Sequence, residues 1–274
     1  MIKLVAIDID GTLVNEQKVL TQRVQDAIHQ AIDQGVKIVL CTGRPIEGIR
    51  PYLDQLGFAD EEDYVISQNG AAITRVDTME VVDHVPLSLE EVTELYEFGK
   101  NYPADICLLN EERFYMVLPY GAEPRIEEDL IDEGRTINME VEIIHLDHLD
   151  EKEEILKMVY FGDPNEVDVV EQAMSPEWHD RYYIVRSQDY LIEVMVKDTN
   201  KGTALKKLAD HLGFSMDEVM AIGDGENDYE MIEAAGLGVV MENGTERLKG
   251  IANELTLSNE ADGVAHAFRK WVLK

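Results

Sequence analysis

Short, wholly apolar runs alternate along this chain with stretches in which apolar residues recur every three or four positions, a pattern that predicts strands and helices in alternation. Ile2–Asp8 reads as a buried strand. Thr21–Gln34 sets Val24, Ala27, Ile28, Ala31 and Ile32 on one helical face, Gly35 stops it, and Val36–Cys41 is a second strand. Pro45 opens a helix toward Leu56, and Tyr64–Gln68 is a third strand ending in Asn69-Gly70-Ala71. Repeated βαβ units predict a parallel sheet in an α/β fold.

The pattern changes between Glu80 and Pro86, and Ser88-Leu89-Glu90-Glu91 has the form of a capping box opening a helix to about Asn101. Beyond it, Asp105–Asn110, Phe114–Leu118, Val141–Leu146, Leu156–Phe161, Tyr182–Arg186 and Tyr190–Val196 are strand-like, and the close pairs at 105–118 and 182–196 predict antiparallel hairpins. After Lys197 the first pattern resumes: a helix from about Gly202 to Leu212, strand Val219–Gly223, a helix from Asp228, strand Gly236–Met241 and a last helix from Asp262. The expected division is a core of 1–86 and 189–274 interrupted by an α+β insertion at 87–188.

Composition narrows the function. The chain has 274 residues with 56 acidic against 24 basic, a net charge of -32, which argues against a nucleic-acid or anionic-membrane partner. Cys41 and Cys107, both in apolar surroundings, fit a reducing compartment rather than a disulfide framework. With no run near the ~18 apolar residues of a membrane span and no basic and apolar signal region, a cytoplasmic location is expected.

Charge placed at strand ends needs a reason. Asp8-Ile9-Asp10-Gly11-Thr12 closes the first strand with two carboxylates. In an open parallel sheet the carboxyl ends of the strands form the ligand crevice. Alone, the stretch reads as a capped strand end and turn. Three further stretches change that balance. Cys41-Thr42-Gly43-Arg44 follows the second strand and offers a hydroxyl and two amides suited to phosphate, with a helix N-terminus behind them. Asn200-Lys201-Gly202-Thr203 puts a lysine at a helix start, against the macrodipole, where a nearby anion would relieve the conflict; in isolation it is a solvated surface charge. Gly223-Asp224-Gly225-Glu226-Asn227-Asp228 ends an apolar strand with more carboxylates. Asp8 and Asp224, with the backbone carbonyl of Asp10, supply the hard oxygens that Mg²⁺ takes. A dinucleotide fingerprint at Gly223 fails because Asp228 stands at the third glycine position, and no P-loop precedes Lys201. His145 and His148 lack a third ligand and read as a solvated pair, and Asn243-Gly244-Thr245 reads as a turn and helix start.

With these four stretches in order, the chain resembles the haloacid dehalogenase superfamily, and within it the Cof-type phosphatases of the YidA sugar phosphatase group. The resemblance runs nearly end to end. It implies a Rossmannoid parallel-sheet core with an inserted α+β cap of type C2, and a Mg²⁺-dependent phosphomonoester hydrolase acting on small phosphorylated metabolites, most of all sugar phosphates. Carried over by position, Asp8 is the nucleophile and a metal ligand, and Asp10 the acid and base that also lends its carbonyl to the metal. Asp224 is the remaining metal ligand, and Asp228 orients the metal's waters. The Ile9 amide, Thr42, Gly43, Lys201 and Asn227 hold phosphate, and Arg44 and Asn69 are candidate substrate contacts. Gly225 and Asn200 stand where relatives often carry Gln or another polar residue and Asp, respectively. Flavin or pyridoxal phosphates are alternative substrates. A receiver-type phosphoacceptor is the alternative of another class, disfavoured by Asp10 and the large insertion. The partner expected is a small metabolite, with no nucleic acid or membrane, and the protein a monomer or homodimer.

Overall fold

The protein was examined as a computed structural model, which describes residues 1–60, 62–119 and 128–273. The apolar runs form strands where expected: β1 (Leu4–Ile7), β2 (Lys37–Cys41) and β3 (Tyr64–Ser67), followed by β4 (Ala72–Arg75) and β5 (Glu80–His84). Then come β6 (Asp105–Leu109), β7 (Phe114–Val117), β8 (Val141–Ile144), β9 (Lys157–Phe161), β10 (Tyr182–Gln188) and β11 (Leu191–Val196). The chain ends through β12 (Val219–Gly223), β13 (Leu237–Val240) and β14 (Glu254–Leu255). Helices α1 (Gln22–Asp33), α2 (Ile46–Leu56), α3 (Leu89–Gly99), α4 (Glu128–Thr136), α5 (Pro164–Ala173), α6 (Lys201–Leu212), α7 (Tyr229–Ala234), α8 (Glu246–Lys249) and α9 (Gly263–Trp271) connect them.

In the first unit an eight-stranded sheet runs β14-β13-β12-β1-β2-β3-β4-β5. Neighbours from β14 to β3 are parallel, and β4 turns back antiparallel on β3. β1 lies between β2 and β12, so the stretches following these three strands meet at one sheet edge. Strand residues alternate between faces. Leu4, Ala6, Val39 and Ala221 join Ala204, Leu205, Leu208, Met231 and Leu248 in one core cluster. On another side α1 packs on α9 and β2. Local signals fix the helix ends: the Thr21 hydroxyl accepts from the Val24 amide, and Gly35 takes a φ of 82° just past α1.

The second unit is a six-stranded sheet ordered β10-β11-β9-β6-β7-β8, antiparallel except for β7 with β8. Both expected hairpins, β6–β7 and β10–β11, are present. Leu95, Val167 and Val170 of α3 and α5 cover one face with Met158 and Tyr160, while Leu130 of α4 covers the other with Cys107 and Val159. Compact units divide the chain differently from the expected 87–188: the second comprises His84–Thr199 and Arg44–Ile49. The reason is pairing. β11 bonds to β10 and β9, so the chain leaves the second sheet only after Val196. Among the described residues no helix is long and apolar enough to cross a membrane.

Candidate active site

Asp8 follows β1 directly and Asp224 follows β12, and both strands are fully buried. Parallel register pairs Ile7 with Ile222, and the Asp8 amide donates to the Ile222 carbonyl at 3.0 Å, which brings the two acids side by side. Gly11, with φ 79°, turns the chain so tightly that a Cβ there would lie 2.2 Å from Asp224 Oδ2. After that turn the Thr12 hydroxyl donates to Asp224 Oδ1 at 2.7 Å, and Asn243 Nδ2 donates to the Gly11 carbonyl at 2.8 Å.

Lys201, the first residue of α6, is fully buried, and its Nζ donates to Asp8 Oδ1 and Asp228 Oδ1 at 2.6 Å each. The Asn200 side chain caps the helix by accepting from the Thr203 amide at 2.8 Å. The lysine at the helix start is therefore a core charge set among carboxylates, not a surface one. Burial works against its charge, yet Asp228 and Asp8 hold its pKa well above the usual lysine value. Burial raises Asp8 well above the usual carboxylate range; Lys201 opposes this, while Asp228, Asp224 and Asp10 add to it. Asp224 is pushed up to about 7 by burial and the charge of Asp228, with the Thr12 bond opposing.

The expected residues do not all stand in their expected roles. Asp228 is fully buried; Oδ1 accepts from Lys201, and Oδ2 accepts from the amides of Asp224 and Gly225 at 2.8 and 2.9 Å. It thus fastens the lysine to the Asp224 loop. Asp10 Oδ1 accepts from Lys18 Nζ at 2.5 Å. Ile9 is buried, and its carbonyl accepts from the amides of Leu13 and Val14. Thr42, just past β2, is buried, with its amide donating to the Ile66 carbonyl at 2.9 Å. Gly43 lies against the Asn69 carboxamide, whose Oδ1 accepts from Asn227 Nδ2 at 2.9 Å. Arg44 belongs to the second unit and is 6% exposed; its Nη1 donates to the carbonyls of Thr136 at 3.0 Å and Gly48 at 3.3 Å. Its guanidinium fastens backbone in that unit.

Thr12, Lys18 and Asn243 are the contributors not singled out from sequence. Thr12 had a signal, since a hydroxyl four residues after a buried carboxylate can reach the same crevice; the other two come from distant turns.

The oxygens of Asp8, Asp224 and Asp228 lie within 4.8 Å of one another. One ammonium among these carboxylates leaves an excess of negative charge on hard donors; burial, with the neighbouring carboxylates adding to it, raises Asp8 and Asp224. Such a donor set of hard oxygens fits a divalent cation.

Comparison with known proteins agrees with this arrangement. The sequence model described as haloacid dehalogenase-like hydrolase matches residues 5–268. The chain is 37% identical over 273 residues to the Bacillus subtilis protein named "Putative phosphatase YxeH", covering 100% of this chain and 99% of that one. It is 31% identical over 274 residues to the Bacillus subtilis 5-amino-6-(5-phospho-D-ribitylamino)uracil phosphatase YcsE, covering 99% of this chain and 96% of the relative. A crystal structure of a haloacid dehalogenase-like hydrolase from Bacteroides thetaiotaomicron superposes with a TM-score of 0.85 at 29% identity, over 98% of this chain and 99% of that one.

Proposed function

Because the chain belongs to the haloacid dehalogenase-like hydrolases and is a phosphatase of that family, we propose that it hydrolyses the phosphomonoesters of small sugars and sugar alcohols with Mg²⁺, through a phosphoryl group carried on Asp8. The observation that carries this reading is the buried Asp8–Lys201–Asp228 chain with Asp224 beside it. A carboxylate at a strand end, flanked by an ammonium and a second acid, is arranged to meet an anion that would otherwise be repelled.

In the first step an Asp8 oxygen forms a bond to phosphorus as the bond to the leaving alkoxide breaks, and Asp10 gives that oxygen its proton. Water then attacks phosphorus, Asp10 takes the proton, and the bond to Asp8 breaks to release phosphate. Lys201 offsets the charge of Asp8 and of the incoming phosphoryl group. The Thr42 hydroxyl, the Gly43 amide, the Ile9 amide and Asn227 hold the phosphoryl oxygens. When bound by Asp8, Asp224 and the Asp10 carbonyl, Mg²⁺ supplies positive charge where the transferring group is most negative.

A second reading concerns the substrate. The relative YcsE is named for a phosphate on a ribityl chain, an open-chain polyol, which favours including phosphorylated ribityl compounds beside hexose and pentose phosphates. A receiver-type phosphoacceptor is set aside by the phosphatase family assignment.

The test is phosphate release over hexose, pentose, glycerol, ribityl, flavin and pyridoxal phosphates with Mg²⁺ and with excess chelator, for the full chain and Asp8→Asn. Turnover confined to the Mg²⁺ samples and absent from Asp8→Asn supports the reading. Turnover by Asp8→Asn near that of the parent chain overturns the covalent route, and activity in chelator overturns the metal.

A further inference from the structure

We propose that Asn69 is a positioning residue that orients the Asn227 carboxamide and the Thr42–Gly43 backbone toward phosphate, an inference that rests on the phosphatase reading above. It begins with the backbone. Gln68, Asn69 and Gly70 have φ of 48°, 54° and 95° in succession. Side-chain-bearing residues seldom take this left-handed conformation, and asparagine tolerates it better than most. Such conformations persist where the surroundings over-determine them, and they gather at functional sites.

The surroundings here belong to the phosphate-binding elements of the first unit. The Asn69 amide donates to the Thr42 carbonyl at 2.9 Å, and the Ala71 amide donates to the Gln68 carbonyl at 3.1 Å. Gly70 approaches the Asn200 carbonyl so closely that a Cβ would lie 2.3 Å from it, which docks the turn on the start of α6, where Lys201 sits. The Asn69 side chain is fully buried, and its Oδ1 accepts from Asn227 Nδ2 at 2.9 Å. A Cβ on Gly43 would come within 3.0 Å of that Oδ1 and 3.2 Å of Asn69 Nδ2, so the carboxamide also sets the space open to the Gly43 backbone.

One residue thus bonds to Thr42 and Asn227 and lies against Gly43. An amide nitrogen carries two hydrogens in a fixed plane, so committing one to Asn69 fixes the direction of the other. A donor aimed before the substrate arrives needs no reorganisation when the phosphoryl group moves. Full burial and these commitments make Asn69 the support for the residues that touch phosphate, in place of the substrate contact expected from sequence.

The experiment uses the full chain and its Asn69→Gly, Asn69→Ser, Asn227→Ala and Asn69→Gly/Asn227→Ala variants. p-Nitrophenyl phosphate serves as substrate, inorganic phosphate as competing ligand, and the melting temperature is recorded for each. Glycine accepts the left-handed backbone, so Asn69→Gly should stay folded with a lowered melting temperature from the lost buried hydrogen bond; Asn69→Ser reads the same loss of the carboxamide should the glycine variant not fold. Either variant should lose about 3- to 10-fold in kcat/KM, the range of one neutral hydrogen bond, mostly through KM, with a matching rise in the inhibition constant of phosphate. Because the backbone bond to Thr42 survives in these variants and the Asn69 side chain bonds to Asn227, the double variant should be no worse than Asn227→Ala alone. Folded Asn69 variants with the parent KM and phosphate inhibition, or losses that multiply in the double variant, overturn the inference. If the parent chain hydrolyses the ester and the coupling is absent, only this inference fails; a parent chain without phosphatase activity takes the functional reading down with it.

Discussion

Lys18 Nζ lies 2.5 Å from Asp10 Oδ1, so the carboxylate proposed to carry protons is held by a cation from the turn after Val14. The Lys18 carbonyl in turn accepts from the Tyr52 hydroxyl at 3.4 Å, and Lys18 itself has a φ of 58°.

The two residues should therefore differ sharply on substitution. Asp10→Ala is expected to cost about 10²–10⁴ in kcat/KM for an alkyl phosphate, the usual size of general acid–base assistance, and less for an aryl phosphate whose leaving group needs no proton. Lys18→Met removes a partly exposed pair, worth about 1 kcal/mol at most, and should change either rate by less than about tenfold. Steady-state kinetics on one alkyl and one aryl ester decide it; a Lys18→Met loss as large as that of Asp10→Ala would make Lys18 part of the chemistry.

Lys201→Met should cost both activity and stability. The ammonium is fully buried between Asp8 and Asp228, and its removal leaves two desolvated carboxylates facing each other. Breaking a buried pair in this way costs about 3–5 kcal/mol. Asp8, which burial already raises and Lys201 opposes, would hold its proton more firmly still without the ammonium, so the deficit should shrink as pH falls. Denaturant titrations of the parent and the variant at about pH 5 and about pH 8 measure it. Adding Asp228→Asn should restore part of the stability and none of the turnover, whereas a deficit independent of pH would place its cause in packing.

The strand ends were legible because charge there breaks an otherwise apolar run: Asp8 after Leu4–Ile7 and Asp224 after Val219–Gly223 could be found from that contrast alone. Caps were legible too, since the Ser88 box and the Asn200 cap use bonds between neighbours in sequence. β5 was not, because Glu80–His84 buries neither face and so carries no alternation. β4 was hidden by the Asn69-Gly70 turn, whose backbone reverses the chain into an antiparallel strand where another crossover was the simpler expectation. The role of Arg44 depends on the Thr136 carbonyl, and no local spacing announces so distant a partner. For Asp228, spacing placed the carboxylate in the cluster, but only the turn geometry shows its second oxygen accepting from the amides of Asp224 and Gly225.

Gly11→Ala and Gly35→Ala form a matched pair. Both glycines have left-handed backbones, with φ of 79° and 82°, but a Cβ at Gly11 would lie 2.2 Å from Asp224 Oδ2 while one at Gly35 meets nothing within 4 Å. Each substitution carries the strain of a left-handed alanine, about 1–2 kcal/mol. Only the first displaces a proposed metal ligand. Gly35→Ala should lower the melting temperature and keep kcat; Gly11→Ala should lose Mg²⁺-dependent turnover as well. Equal loss of kcat in both would mean that Gly11 matters for backbone alone.

Asp224 gives a pH dependence whose sign differs with and without metal. In the metal-free chain its pKa is pushed up to about 7 by burial and Asp228, from an ordinary 3.8. Between those values the folded chain keeps a proton that the unfolded chain has released. This group's contribution to stability is therefore fully present below the unfolded value and is lost as pH rises through about 7. A divalent cation needs the ionised carboxylate, so its affinity should rise over the same interval, by up to about tenfold per pH unit for one displaced proton. Asp224→Asn isolates the effect from the other titrating groups. Without metal, the variant should be more stable than the parent at about pH 8, and this advantage should disappear by about pH 4. With Mg²⁺, only the parent should gain melting temperature, and the gain should be larger at about pH 8 than at about pH 6. A parent–variant difference that stays constant with pH in chelator would show that Asp224 is ionised throughout the folded state, and the crowding of carboxylates around Lys201 would then be relieved at Asp8 instead.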